Sequence, residues 1–288
     1  MASATAVVGS RRDARRLVEA AAGADSAEMM KMLSERAPER AVARLESMIE
    51  RRRRGEPLQY VAGAWGFRHL DLMVDDRVLI PRPETEVVVE VALAELGRLR
   101  AERGHRRPLV VVDLGTGSGA IALSLALEAP PRAGPVEVWA TDASAGALEV
   151  ASANLAGLAG AAAARVRLAR GDWWDALPHG LAGRVDLVVS NPPYVAEADE
   201  VEPEVSAWEP ATALWSGPTG LEDTGRILAG AREWLCPPAA LVVEIASQRA
   251  AESVALAQAQ GLEAEIHADL AGRDRVLIAR TGPPPTGP

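Results

Sequence analysis

The stretch SNPPYV, Ser190 to Val195, follows the apolar run RVDLVV and sets an amide, two prolines and a phenol at the end of what reads as a buried strand. Two prolines alone would stop a strand, because neither can donate to the ladder. Strand termination is therefore the plainer reading. The chemical reading is a rigid grip for a planar amino group. Proline biases the residue before it toward extended conformations, which restricts both Asn191 and Pro192. Pro192 and Pro193 supply carbonyls without amides, Asn191 adds a side-chain oxygen, and Tyr194 offers a ring that can lie on the flat group. An amide nitrogen is a poor nucleophile because its lone pair is delocalised. Two acceptors on its N–H groups orient that lone pair at an electrophilic carbon and favour the positive charge that develops in the transfer. No general base has to act first.

A second stretch, VVDLGTGSGAIAL, places Gly115, Gly117 and Gly119 directly after an apolar run and before a helical one. Glycines at such a junction let the turn tighten and let a ligand approach the backbone, with the amides of the next helix aimed at it. Gly115, Gly117 and Ala120 also satisfy the dinucleotide fingerprint, and Asp142, about 25 residues on, could hold an NAD ribose. The same acid could equally hold the ribose of S-adenosyl-L-methionine. What favours the second cofactor is the D-x-G-x-G-x-G order of Asp113, Gly115, Gly117 and Gly119, which resembles motif I of class I methyltransferases. ARGDWWDAL then brings Asp172 and Trp173 to the end of a third strand, where ligands collect in a doubly wound sheet. Trp173 there either covers an adenine or packs under a loop.

The elements that must position these residues follow from periodicity. From Leu109 onward short apolar runs alternate with helical stretches, the pattern of strands covered on both faces by crossover helices. This predicts an α/β fold with a doubly wound, mostly parallel Rossmann-like sheet, closed by AEIHADL and DRVLIAR. Residues 11–54 read as helices, with Val42, Leu45, Met48 and Ile49 on one apolar stripe and Met29, Met30, Met32 and Leu33 on another, both assigned to a core. The segment from Leu58 to Ile80 is rich in β-formers and reads as a hairpin connector. Thr85 is a candidate cap for the helix that follows. The expected division is residues 1–57 helical, 58–80 hairpin connector, 81–281 catalytic domain and 282–288 a disordered tail.

Composition narrows the class further. The chain of 288 residues is 48% hydrophobic and 25% charged, as ordinary globular proteins are, and its formal charge of −9 disfavours a general nucleic-acid binder. The basic share sits in the first 60 residues, densest at ERRRRGEP, which reads as a solvated helix end. One cysteine and four scattered histidines point to no internal disulfide and no metal. With no bilayer-length apolar run and no signal core, the cytoplasm is the expected compartment, with no membrane partner.

Taken together, the tetrapeptide Asn191–Tyr194 after a fourth strand resembles the methyltransferases that modify amide or exocyclic amine nitrogens of protein glutamine, DNA adenine or RNA guanine. The upstream segments YVAGAWGF (Tyr60, Gly63, Phe67) and LIPRPETE (Leu79 to Glu86) resemble the release-factor glutamine methyltransferases, the PrmC/HemK family. The match continues through Glu209-Pro210, Ala213-Leu214, Gly220 to Glu222 and the terminal DLAGRDRV, with motif order preserved. Ala246 stands where that family has glycine, and the helical region before residue 55 carries little identity. The resemblance implies methyl transfer from S-adenosyl-L-methionine to the N5 amide nitrogen of the Gly-Gly-Gln glutamine of class 1 release factors, by a monomer whose helical domain docks the factor. It implies that Gly115, Thr116, Gly117, Ser118 and Gly119 cradle the methionine part, Asp142 holds the ribose and Trp173 flanks adenine, with Asn191 also in the cofactor-binding set. Asn191 and Pro192 then accept from the target amide, Pro193 stiffens the loop and Tyr194 packs on the amide plane. Whether Arg82, Glu84, Glu86, Asp113 or Asp172 touch cofactor is left open. The alternatives are an amino-methyltransferase for a nucleic-acid base or a ribosomal-protein glutamine, an NAD oxidoreductase, and a non-catalytic scaffold.

Overall fold

Why the apolar runs after Leu109 carry almost no polar residues is plain from the sheet they build. The computed structural model describes residues 2–24, 26–32, 36–104, 107–129, 134–158 and 160–282. Strands β3 (Leu109–Leu114), β4 (Val136–Asp142), β5 (Val166–Arg170), β6 (Val185–Ser190) and β7 (Leu235–Glu244) run parallel. Strands β8 (Glu263–Ala268) and β9 (Asp274–Arg280) add an antiparallel edge, giving the order β5-β4-β3-β6-β7-β9-β8. One face of the sheet packs Val111, Leu187 and Val242 under α6 (Thr85–Arg103) and α7 (Ala120–Glu128). The other packs Val112, Val188 and Leu241 under α10 (Glu222–Trp234) and α11 (Ala250–Ala259). Strands buried on both faces need continuous apolar sequence, and β3 and β6 are buried at every position. The chain moves outward from β3 through β4 and β5, with α8 (Ala145–Gly157) between those two, and then crosses back to β6. That reversal opens a crevice at the carboxyl ends of β3 and β6.

Ahead of the sheet come α1 (Ala2–Val8), α2 (Arg11–Ala22), α3 (Ser26–Met32), α4 (Glu39–Arg53) and α5 (Leu58–Ala62), then the hairpin β1 (Ala64–Phe67) and β2 (Leu70–Met73). Ser10 caps α2 by accepting from the Asp13 amide, and Gly23 ends it in the left-handed region. Leu17, Ala21, Met48 and Val61 form one small core of the bundle, and Ala4, Ala14 and Ile49 another. The remaining helix, α9 (Pro203–Trp208), lies in the long loop after β6.

Several expectations need correction. Residues 58–62 are helix α5, not hairpin, because Pro57 holds the cap position and Gly63 terminates the turn at φ 76°; α5 packs with α2 and α4 through Val61. Met30 is 62% exposed and Met29 is half-buried, so neither is core; α1, which sequence reading missed, packs on α2 and α4 instead. Val42 is exposed as well, leaving Met48 and Ile49 as the buried part of its stripe. Leu33 and the tail from 283 lie outside the described residues. Thr85 does not cap α6. Glu84 holds the cap position, and Thr85, buried against β7, donates its hydroxyl to Glu244 Oε2 at 2.7 Å. The arginine run at the end of α4 is only partly solvated: Arg51 pairs with Glu56, and Arg52 with Glu204 of α9. Ala246 has φ −68°, open to any residue, so replacing glycine there brings no strain. Among the described residues no helix is long and apolar enough to cross a membrane.

Asn154 of α8 joins these parts. Its Oδ1 accepts from the Met73 amide at 2.7 Å, while Nδ2 donates to the carbonyls of Met73 and Ser118 at 3.0 and 2.8 Å. Asn154→Ala orphans those backbone groups, so we expect a loss of about 2 to 4 kcal/mol of unfolding free energy in urea titration.

Candidate active site

A cavity of about 610 Å³ occupies the crevice at the strand ends. That is the size of an ordinary small-molecule site. Its floor is the turn after β3. Gly115, Gly117 and Gly119 have φ of 74°, 54° and 86°, a region side chains with a Cβ rarely adopt. Gly117 lines the cavity, and a Cβ added there would meet nothing within 4 Å, so it would project into open space. Thr116 and Ser118 line it too.

Asp113 does not face this cavity. It is fully buried, with Oδ2 accepting from the Thr116 hydroxyl at 2.6 Å and the Ala122 amide at 3.1 Å, so it pins the turn to the start of α7. Its Oδ1 has no hydrogen-bond partner among the described residues. Burial pushes the Asp113 carboxyl up to about 7, against the pull of those two donors, and the nearby Asp142 charge adds to the rise. Asp142 ends β4 and lines the cavity, accepting from the Gly117 amide (2.9 Å) and the Ser144 amide (2.9 Å). Burial raises its pKa as well. The carboxylate keeps lone-pair capacity for a hydroxyl donor.

After β5, Trp173 lines the cavity with its ring edge over Gly115, where a Cβ would stand 3.5 Å from Cζ3. Its neighbour Trp174 holds that loop down: the indole stacks on Trp234 of α10 at 5.8 Å between centroids and donates to the Ile227 carbonyl. Asp172 is exposed at the rim and ion-paired to Arg226 of α10.

Asn191 and Pro193 reach the wall from β6. Pro192 is buried and Tyr194 half-buried, and neither is among the lining residues. The loop is held by backbone pairing of Val195 with the 214–216 segment and by Gly220, whose close approach to the Tyr194 carbonyl leaves no room for a Cβ. Asn191 Nδ2 donates to Thr85 Oγ1 at 3.2 Å, and the Tyr194 hydroxyl donates to Glu244 Oε1 at 3.3 Å. Asn191 Oδ1 makes no hydrogen bond among the described residues. Glu244 is 1% exposed, and burial raises its pKa despite these hydroxyl partners.

Arg82 binds the buried Glu209, and Glu86 accepts from the Arg68 amide. Glu84 is exposed, and none of the three lines the cavity. Tyr60 of α5 and Phe67 of β1 are core residues, Tyr60 donating to the Val78 carbonyl at 2.6 Å.

Residues 3–63 match the PrmC N-terminal domain, and residues 98–241 the methyltransferase small domain. The release factor glutamine methyltransferase of Cereibacter sphaeroides is 40% identical, the match covering 93% of this chain and 90% of the relative. That of Deinococcus radiodurans is 37% identical over 93% and 90%. The chain belongs to the release factor glutamine methyltransferase family. Among solved structures, the hMettl16 catalytic domain in complex with a MAT2A 3'UTR hairpin superposes with a TM-score of 0.55 at 15% identity, covering 84% of this chain and 80% of that one. A Pyrococcus furiosus methyltransferase gives 0.52 at 17%, covering 75% and 90%. At these identities the likeness is one of fold.

Sequence reasoning read Thr85 only as a helix cap within LIPRPETE and passed over Glu244 and Arg226. Glu244 had a visible signal, a charge ending the otherwise apolar strand LVVE; Arg226 had none, since its partner lies far away in the chain.

Two outcomes follow from this geometry. Between the ordinary carboxylate value of 3.8 and about 7, the folded chain keeps a proton on Asp113 that the unfolded chain has released. Stability therefore falls as pH rises through that window and levels above it, and pH-dependent urea unfolding of Asp113→Asn should show a shallower decline. Gly117→Ala should weaken cofactor binding about tenfold or more in calorimetric titration, by adding a methyl group and φ strain at the cavity floor.

Proposed function

We propose that the strand-end cavity is where this enzyme transfers a methyl group from S-adenosyl-L-methionine to the N5 nitrogen of the Gly-Gly-Gln glutamine of class 1 release factors. The observation that carries the reading is Asn191, held at the cavity wall with its amide nitrogen occupied by Thr85 and its oxygen uncommitted. When bound, S-adenosyl-L-methionine supplies a methyl carbon made electrophilic by the neighbouring sulfonium. The cavity fits it: a glycine floor with room for a Cβ, a carboxylate at Asp142, and the Trp173 ring. Gly115 to Gly119 would hold the methionine part, Asp142 the ribose and Trp173 the adenine.

The protein's own contribution is to grip and orient. Asn191 Oδ1 and the carbonyl of Pro192 accept from the two N–H bonds of the target amide, Pro193 keeps the loop stiff, and Tyr194 backs the amide plane. Aligned acceptors are set before the reaction, so they stabilise the charge that appears on nitrogen without reorganising. The α1–α5 bundle, which carries the basic share of the sequence, docks the release factor, and the enzyme works as a monomer in this reading.

Incubation with labelled S-adenosyl-L-methionine and unmethylated release factor, followed by mass spectrometric mapping, should place one methyl group on the glutamine. Label in nucleic acid but not in release factor would refute the substrate. Asn191→Ala should lower kcat at least about a hundredfold and leave the cofactor Kd within a few-fold; equal loss of both would make Asn191 a cofactor ligand.

A further inference from the structure

Thr85, which lines the cavity beside Asn191, and Glu244, buried behind it, are side chains that the methyl-transfer reading leaves without a task. Glu244, at the end of β7, is 1% exposed, and Thr85, at the start of α6, is 4% exposed. The Thr85 hydroxyl donates to Glu244 Oε2 at 2.7 Å and accepts from Asn191 Nδ2 at 3.2 Å. The other carboxylate oxygen, Oε1, accepts from the Tyr194 hydroxyl at 3.3 Å. One buried acid thus sits behind both ends of the Asn191–Tyr194 tetrapeptide.

We propose that Thr85 and Glu244 are positioning residues that fix the orientation of the Asn191 carboxamide, so that it presents oxygen rather than nitrogen to the target amide. This rests on the reading that Asn191 accepts from that amide. A carboxamide has two nearly isosteric ends, one acceptor and one donor, and shape alone does not choose between them. The choice is made by the group behind it. A hydroxyl has one proton to donate, and a buried carboxylate, a stronger acceptor than a carboxamide oxygen, is where it points. With its proton committed to Glu244, Thr85 has only lone pairs left for Asn191, so Nδ2 must turn to Thr85 and Oδ1 away from it. Were the Thr85 proton free, it could donate to Oδ1 instead, and the carboxamide would turn its NH₂ toward a substrate that also brings NH₂. Donor facing donor cannot form the grip. Glu244 thereby sets a polarity two hydrogen bonds away, and its second oxygen restrains the Tyr194 ring that lies at the other end of the same loop.

The test separates orientation from folding. Thr85→Val keeps the shape of the side chain and removes the hydroxyl; kcat with release factor should fall at least about tenfold, while the cofactor Kd and the KM for release factor stay within about threefold. Thr85→Ser restores the hydroxyl and should restore kcat to within about threefold. Glu244→Gln offers an NH₂ that can donate toward Thr85 and so permits the reversed network; its kcat should lie between wild type and Thr85→Val. Thr85→Val with wild-type kcat, or Thr85→Ser as impaired as Thr85→Val, overturns the proposal. If Thr85→Val does not fold, Glu244→Gln with a wild-type melting temperature and undiminished kcat overturns it equally. Asn191→Ala measured alongside distinguishes the two levels: its full activity removes the grip itself, whereas its loss with Thr85→Val unaffected removes only the relay.

Discussion

Leu114 of β3 lies level with Ser190 of β6, and the Ser190 hydroxyl donates to the Leu114 carbonyl at 2.6 Å. This one pairing brings the glycine turn and the proline turn to a common level, since each begins at the next residue. Parallel register does the rest: Thr141 lies beside Leu114 on one side and Val243 beside Ser190 on the other, so four successive loops leave the sheet at one rim. A slip of one residue would send alternate side chains to the opposite face and drop Asn191 out of line with Gly115.

The rim is stiffened from within by acids where a core would ordinarily admit none. Asp113 sits one residue before the end of β3 and Glu244 at the end of β7, both fully buried, and each is met by a threonine hydroxyl. The threonines lie at the starts of segments the strands must hold in place, Thr116 in the glycine turn and Thr85 at the head of α6. Burial penalises the charged form of both acids, so the hydrogen bonds to them are worth more than they would be in water. The cost in stability is borne at the place where the backbone has to be held most firmly.

Much of this was legible in the sequence. Apolar runs such as LVVVDL and RVDLVV announced strands covered on both sides, the spaced glycines announced a turn that only glycine tolerates, and NPPY announced a stiff loop at the same rim. Those signals are local: a strand, a turn and a rigid loop each depend on neighbours in the chain. What escaped was the long-range pairing. Thr85 reads as a helix cap until β7 is placed beside it, 159 residues away in the chain, and Asn154 reads as an ordinary helical residue until the hairpin docks on α8. Helix α5 was hidden among β-formers, because Pro57 and Gly63 overrode the propensity of LQYVA. The stripe of methionines misled in the other direction, since a short helix with an apolar face need not find anything to cover it.

The clamp at Asn154 has one more consequence. A single carboxamide grasps the hairpin that follows the bundle and, by its other hydrogen, the carbonyl of Ser118 on the cavity floor. The two regions share a strut with no slack in it. The hairpin that follows the amino-terminal helices and the floor of the cavity are therefore braced by the same side chain.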